Sequence, residues 1–222
     1  MLRLQTRRAA IELVGSAALA AIVIGSGIAA ARLSGDVGIQ LLINAIATAF
    51  GLFVLITVLG PLSGAHLNPV VSLVDSALGT RPWRDVLVYV PAQVIGCALG
   101  AVLANLMFGL SVVSISATER VTPSRVLAEV VATAGLVFAI FTLARLDRAA
   151  LIPAVVAAYI GAAYFFTSST SFANPAITIG RMLSDSFAGI APASAPWFIA
   201  AQLVGGAVGY LTVRLLVPRT AR

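Results

Sequence analysis

Residues 63–72 read SGAHLNPVVS, and residues 168–178 read SSTSFANPAIT. Each stretch carries an Asn-Pro pair: Asn68-Pro69-Val70 in the first and Asn174-Pro175-Ala176 in the second. Asn caps helices well because its side-chain oxygen accepts a backbone N–H of the first turn, and Pro suits the first helical position. Each pair therefore predicts a helix start. The stretches that follow, PVVSLVDSALG and PAITIGRMLSD, are too short to cross a bilayer. About ten helical residues reach roughly 15 Å. Two such helices end to end cover about 30 Å, the depth of one hydrocarbon core.

The rest of the chain fits that reading. Of 222 residues, 60% are hydrophobic and only 10% charged. Soluble domains carry about 25% charged residues, so lipid is the expected solvent for most of this surface. The net charge is +6 and every basic residue is Arg. The arginines stand singly or in pairs between apolar runs, which argues for membrane orientation rather than nucleic-acid binding. One cysteine, Cys97, and one histidine, His66, leave no Cys/His metal site and no intrachain disulfide. Cys97 reads as a small buried hydrophobe. No cofactor or metal is expected.

Apolar runs long enough to span fall near 9–31, 38–60, 84–110, 126–145, 149–168 and 197–217. The first follows Arg3, Arg7 and Arg8 as a leader would, but its length, its Glu12 and its later counterpart favour a span. Six spans put both ends of the chain on one side. With the termini inside, inner segments hold ten arginines (3, 7, 8, 81, 84, 145, 148, 214, 219 and 222) and outer segments four (32, 120, 125 and 181). The positive-inside rule then predicts cytoplasmic termini.

Residues 92–100, AQVIGCALG, recur as AQLVGGAVG at 201–209. Residues 12–19, ELVGSAAL, recur as EVVATAGL at 129–136. Each half therefore runs Glu helix, Asn-Pro loop, Gln helix. The chain reads as one transmembrane domain, 1–222, built from repeats of about 1–115 and 120–222. Three spans per repeat is an odd number, so the second half enters from the opposite face. This is an inverted repeat, with its functional site near the midplane. Gly96-x3-Gly100 and Gly205-x3-Gly209 are read as close helix packing.

The inversion brings both short helix starts to mid-bilayer. Non-helical backbone survives there only if protein shields it or a wet cavity runs beside it. Each helix start carries about half a positive charge, so two facing starts repel cations. The amide NH₂ groups of Asn68 and Asn174 can both donate to one solute oxygen, and a water held that way relays protons poorly.

These two Asn-Pro stretches, with the Glu and Gln repeats, resemble the major intrinsic protein family of aquaporins and aquaglyceroporins over nearly the whole chain. The resemblance implies an all-α membrane protein of six transmembrane helices and two re-entrant half-helices, with a pore in each subunit of a homotetramer. It implies a passive channel for water and small neutral solutes in the cell membrane. Val70 departs from the family's usual Ala, where the residue packs the half-helices together.

The selectivity filter departs further. Arg usually follows the second Asn-Pro-Ala; here the position is Ile177. Matching the other positions suggests Phe50, Ala162 and Ser171. Phe50 is the weakest match, because the chain from it to Asn68 is two residues shorter than the family pattern. Ile and Ala in place of bulky polar groups predict a wider, more apolar constriction and weaker ion exclusion. Glycerol, urea or metalloid hydroxides such as arsenous acid are then expected solutes. The stretch TSSTSFANPAIT also resembles bacterial members associated with arsenic detoxification.

Glu12 and Glu129 lie within spans, where carboxylates are costly. They are either a proton relay or acceptors for loop N–H groups, and their symmetry favours the second. Gln93 and Gln202 are expected to brace the same loops. His66 either senses pH or orients the first Asn-Pro loop; the second is favoured. Arg181, one turn after Ile177, either pairs with Asp185 at the outer mouth or draws solutes in. A proton-coupled secondary transporter is the alternative function. No nucleophile–base pair supports an enzyme.

Overall fold

The structure is a computed structural model and describes residues 2–218; Arg219 and Arg222 of the charge count lie outside it. It is all α-helical. Six helices are long and apolar enough to cross a membrane: α1 (Leu2–Leu33), α2 (Val37–Ser63), α4 (Trp83–Met107), α5 (Pro123–Arg145), α6 (Ile152–Phe166, led in by a 3₁₀ turn at Ala149–Leu151) and α8 (Ala195–Leu216). Two short helices lie between them, α3 (Pro69–Ala77) and α7 (Pro175–Arg181).

Local chemistry explains the boundaries. Asp36 caps α2 by accepting from the Ile39 N–H at 2.9 Å. Thr122 caps α5 ahead of Pro123. Asn68 and Asn174 cap α3 and α7, each with Pro at the first helical position. α7 stops after seven residues, sooner than the apolar pattern predicts. The carbonyls just past its end are taken by another segment: the Met182 and Leu183 oxygens accept from the Ser116 and Ser114 N–H groups, and Leu183 O also accepts from Asn105 Nδ2. With those acceptors occupied, the chain turns instead of continuing the helix.

Packing is paired throughout. α1 packs on α4 and α2, and α5 packs correspondingly on α8 and α6. α3 lies against α4 and α8, and α7 against α8 and α4. The glycine pairs set how close the helices come. A Cβ on Gly96 or Gly100 would meet the Leu13 or Ala17 carbonyl oxygen at 2.3 or 2.1 Å. A Cβ on Gly205 or Gly209 would meet the Val130 or Ala134 carbonyl oxygen at 2.5 or 2.7 Å. The glycines are thus required by backbone-to-backbone approach of α4 on α1 and of α8 on α5.

The outer flanks are apolar: Leu42, Phe53, Leu103, Leu127 and Leu211 are all exposed. Trp83 and Trp197 stand exposed at the starts of α4 and α8, positions suited to a membrane interface. Small and β-branched side chains fill much of the interior, and two matching sets of buried polar groups, Glu12 with Gln93 and Ser72 and Glu129 with Gln202 and Thr178, gather at the two Asn-Pro loops.

Candidate functional site

The loops that precede α3 and α7 have matching backbones. Ala65 and Leu67 take φ of 46° and 50°; Ser171 and Ala173 take 51° and 47°. Left-handed non-Gly residues are strained and need surroundings that hold them. Two buried carboxylates do so. Glu12 accepts from the His66 N–H at 3.0 Å, the Leu67 N–H at 2.7 Å, Ser63 Oγ at 2.6 Å and Gln93 Nε2 at 2.8 Å. Glu129 accepts from the Phe172 and Ala173 N–H groups, both at 2.9 Å, and from Gln202 Nε2 at 2.7 Å. Gln93 and Gln202 then reach Ser72 and Thr178, on α3 and α7. Each acid ties its loop to both the long Glu helix and the Gln helix.

The half-helices meet tip to tip through their caps. Asn68 Nδ2 donates to the Ala173 oxygen at 2.7 Å, and Asn174 Nδ2 donates to the Leu67 oxygen at 2.8 Å. Asn68 Oδ1 accepts from the Val70 N–H, and Asn174 Oδ1 from those of Ala176 and Ile177. An amide NH₂ has two hydrogens. One hydrogen of each group locks the opposite loop, and the second is not used in that lock. Pro69, Val70, Pro175 and Ala176 are buried behind the tips. Val70 is accommodated by a glycine: a Cβ on Gly206 would lie 2.5 Å from Val70 Cγ1.

A cavity of about 280 Å³ runs past both tips. Asn68, Asn174, Ser171 and Ile177 line it, with Leu19, Val23, Ile140 and Val156 on the long helices. Its wall is mostly apolar, and its polar groups are concentrated at the half-helix tips and the two mouths. One mouth carries His66, Asp75 and Arg81. His66 Nε2 lies 3.2 Å from Asp75 Oδ2, and Nδ1 lies 2.9 Å from Ser72 Oγ. Arg81 bonds Asp75 at 3.0 Å and the Ser63 oxygen at 3.0 Å. His66 is thus tied to α3 at both ring nitrogens.

The other mouth carries Arg181, which is 2% exposed. Its Nε donates to the Ala188 oxygen, and its guanidinium lies 3.4 Å from the centroid of the Phe172 ring. Asp185 is not its partner; that carboxylate accepts from the Ala117 N–H instead. Arg120, on the connector before α5, is held by the Gly189 and Phe187 oxygens. Burial lowers the Arg120 pKa to about 10, so it stays charged at neutral pH.

Two filter assignments need correcting. Phe50 is 70% exposed, and Ala162 is also on the outer flank. The cavity is lined instead by Thr48 and Leu52 from α2 and by Ile160 and Tyr164 from α6. The reason is helical geometry: at 3.6 residues per turn, a two-residue offset rotates a side chain by about 200°. The two-residue deficit between Phe50 and Asn68 was the signal, and it points to Thr48. Tyr164 OH and Thr48 Oγ1 lie 3.0 Å apart. The width expected from Ala162 is therefore filled by a tyrosine, while Thr48 is smaller than the phenylalanine expected there.

The comparisons agree with this architecture. The chain is 46% identical to an aquaglyceroporin of Rhizobium meliloti over 212 residues, 96% of this chain and 91% of that one. It is 33% identical to the glycerol uptake facilitator protein of Bacillus subtilis over 143 residues, 58% of this chain and 52% of that one. Its fold matches the X-ray structure of the aquaglyceroporin from Plasmodium falciparum with a TM-score of 0.71 and 21% identity, covering 96% of each chain. A family model described as major intrinsic protein matches residues 3–172. With six membrane-crossing helices and two capped half-helices meeting at a lined cavity, the chain belongs to the major intrinsic protein family.

Proposed function

We propose that the chain is a passive channel through which water and small uncharged solutes, such as glycerol, urea or arsenous acid, diffuse across a cell membrane. One observation carries the reading: Asn68 and Asn174 line one cavity, each with an amide hydrogen left over after the loops are locked. Two donors at the positive ends of two helices hold a solute oxygen and repel cations. Apolar walls on either side let the solute's carbon skeleton slide past.

The solute range is read from the constriction. Tyr164 takes back the width that Ala162 would have left, but Ile177 and Thr48 are less polar or smaller than the groups expected at a strict water filter, which supports solutes larger than water. The names of the Rhizobium and Bacillus relatives point the same way. Both buried carboxylates are fully engaged by donors, which supports a channel over a proton-coupled carrier. In this reading the halves, about 1–115 and 120–222, cross the bilayer in opposite senses. The termini are cytoplasmic, the host is the inner or plasma membrane, and four subunits each carry a pore.

The test is solute uptake into reconstituted vesicles. Linear, non-saturating uptake of water and of at least one of glycerol, urea and arsenous acid is expected. If water alone passes, the wider solute range is wrong. Saturating flux that needs a proton gradient would replace the channel with a carrier.

A further inference from the structure

The family's filter cation is missing from position 177, yet the outer mouth holds a buried arginine one turn further along the same half-helix. Arg181 reaches the cavity wall at 2% exposure. Its Nε is tied to the Ala188 oxygen. Its guanidinium is stacked on Phe172, which is itself fixed by Glu129 and by an edge contact with Phe198 at 5.1 Å. Among the described residues, no carboxylate pairs with it, and no acceptor meets its terminal nitrogens. A buried cation without a counter-ion is costly unless water or a solute takes its hydrogens. The lumen beside it can supply both.

Tyr164 lines the same cavity from α6, and its hydroxyl shares a hydrogen bond with Thr48 on α2. That pair uses one hydrogen, so one hydroxyl hydrogen and several lone pairs remain. Ile177 lies between Arg181 and the Asn174 tip on α7 and offers no polar group.

We propose that Arg181 and Tyr164 form the polar clamp of the outer constriction and set its selectivity. The guanidinium donates to solute oxygens and repels cations. The Tyr164–Thr48 pair contacts the solute's hydroxyl or amide hydrogens, and Ile177 faces its carbon skeleton. The preferred solute is small and neutral, with donors and acceptors on one edge and an apolar back. This inference deepens the channel reading and rests on it. It also alters one expectation from the sequence: cation exclusion is retained despite Ile177, because the charge has moved by one turn.

The test uses the full chain in lipid vesicles, with wild type, Arg181→Met, Arg181→Lys and Tyr164→Phe compared. Potassium leak and the ratio of urea to water permeability are measured. Monodisperse elution and an unchanged thermal midpoint certify folding. Arg181→Met is expected to raise potassium leak by about tenfold or more, since it removes a lumen charge in a low-dielectric wall. Arg181→Lys should hold the leak near wild type. Tyr164→Phe should change the urea-to-water ratio by about threefold without adding leak, the effect of one lost hydrogen bond. A folded Arg181→Met with wild-type leak and an unchanged ratio overturns the proposal. If Arg181→Met does not fold, an unchanged ratio in Tyr164→Phe overturns it alone. Wild-type vesicles no more permeable than empty ones would defeat the channel reading itself, a separate failure.

Discussion

Val70 and Gly206 should behave as one packing unit. Val70 is buried at the start of α3, two residues after Asn68, and Gly206 faces it from α8. A Cβ on Gly206 would sit 2.5 Å from Val70 Cγ1, more than 1 Å inside carbon contact distance. Overpacking of that kind costs about 1–3 kcal/mol. Replacing a helical Gly by Ala returns up to about 1 kcal/mol of propensity. Gly206→Ala should therefore destabilise by about 1 kcal/mol net. Val70→Ala removes two buried methyl groups and should cost about 1–3 kcal/mol, transfer and cavity together.

In the double variant the new Cβ enters the space the methyls leave. The clash disappears and part of the cavity fills, so the pair should be less destabilised than the sum by about 2 kcal/mol. Thermal midpoints of detergent-purified protein, followed by elution of the intact species, give the order: wild type highest, the double variant level with Gly206→Ala, and Val70→Ala lowest. Solute permeability should follow the same order, because Val70 supports the turn that holds Asn68. Additivity within about 0.5 kcal/mol would refute the idea that Gly206 exists to admit Val70.

Glu129→Gln should destabilise by about 3 kcal/mol, because an amide NH₂ would face a backbone N–H that needs an acceptor and charge-assisted bonds are lost; loss of solute flux together with the folded species would be the readout. Thr48→Phe should slow urea and glycerol more than water, whereas Phe50→Ala should leave all three ratios alone; equal effects in a vesicle panel would contradict the placement of α2. Permeability should stay flat between pH 5 and 8, because His66 keeps its contacts with Ser72 and Asp75 in either charge state; a step in a stopped-flow pH series would show that His66 gates.

The parts of this protein legible in the sequence were those set by local chemistry and by repetition. Asn-Pro pairs announce helix starts because cap and first-turn geometry need only adjacent residues. Spans follow from the length and apolarity of each run. The recurrence of Glu12 as Glu129 and of Gln93 as Gln202 implied paired supports, since symmetric halves place equivalent groups equivalently. The faces of α2 and α6 were another matter. On α6 nearly every residue is apolar or aromatic, so no periodicity separates lumen from lipid; on α2 the buried Asn44 and Thr48 stand one turn apart and mark the inner face, but matching by position passed over them, and a two-residue error turned Phe50 and Ala162 outward in place of Thr48 and Tyr164. Arg181 was visible as a charge, but its neighbour was not. Whether it met Asp185 or the lumen depended on where the 114–118 segment and the 186–190 loop ran. Those segments meet α7 across large sequence separations, and only the packed chain decides which acceptors they occupy.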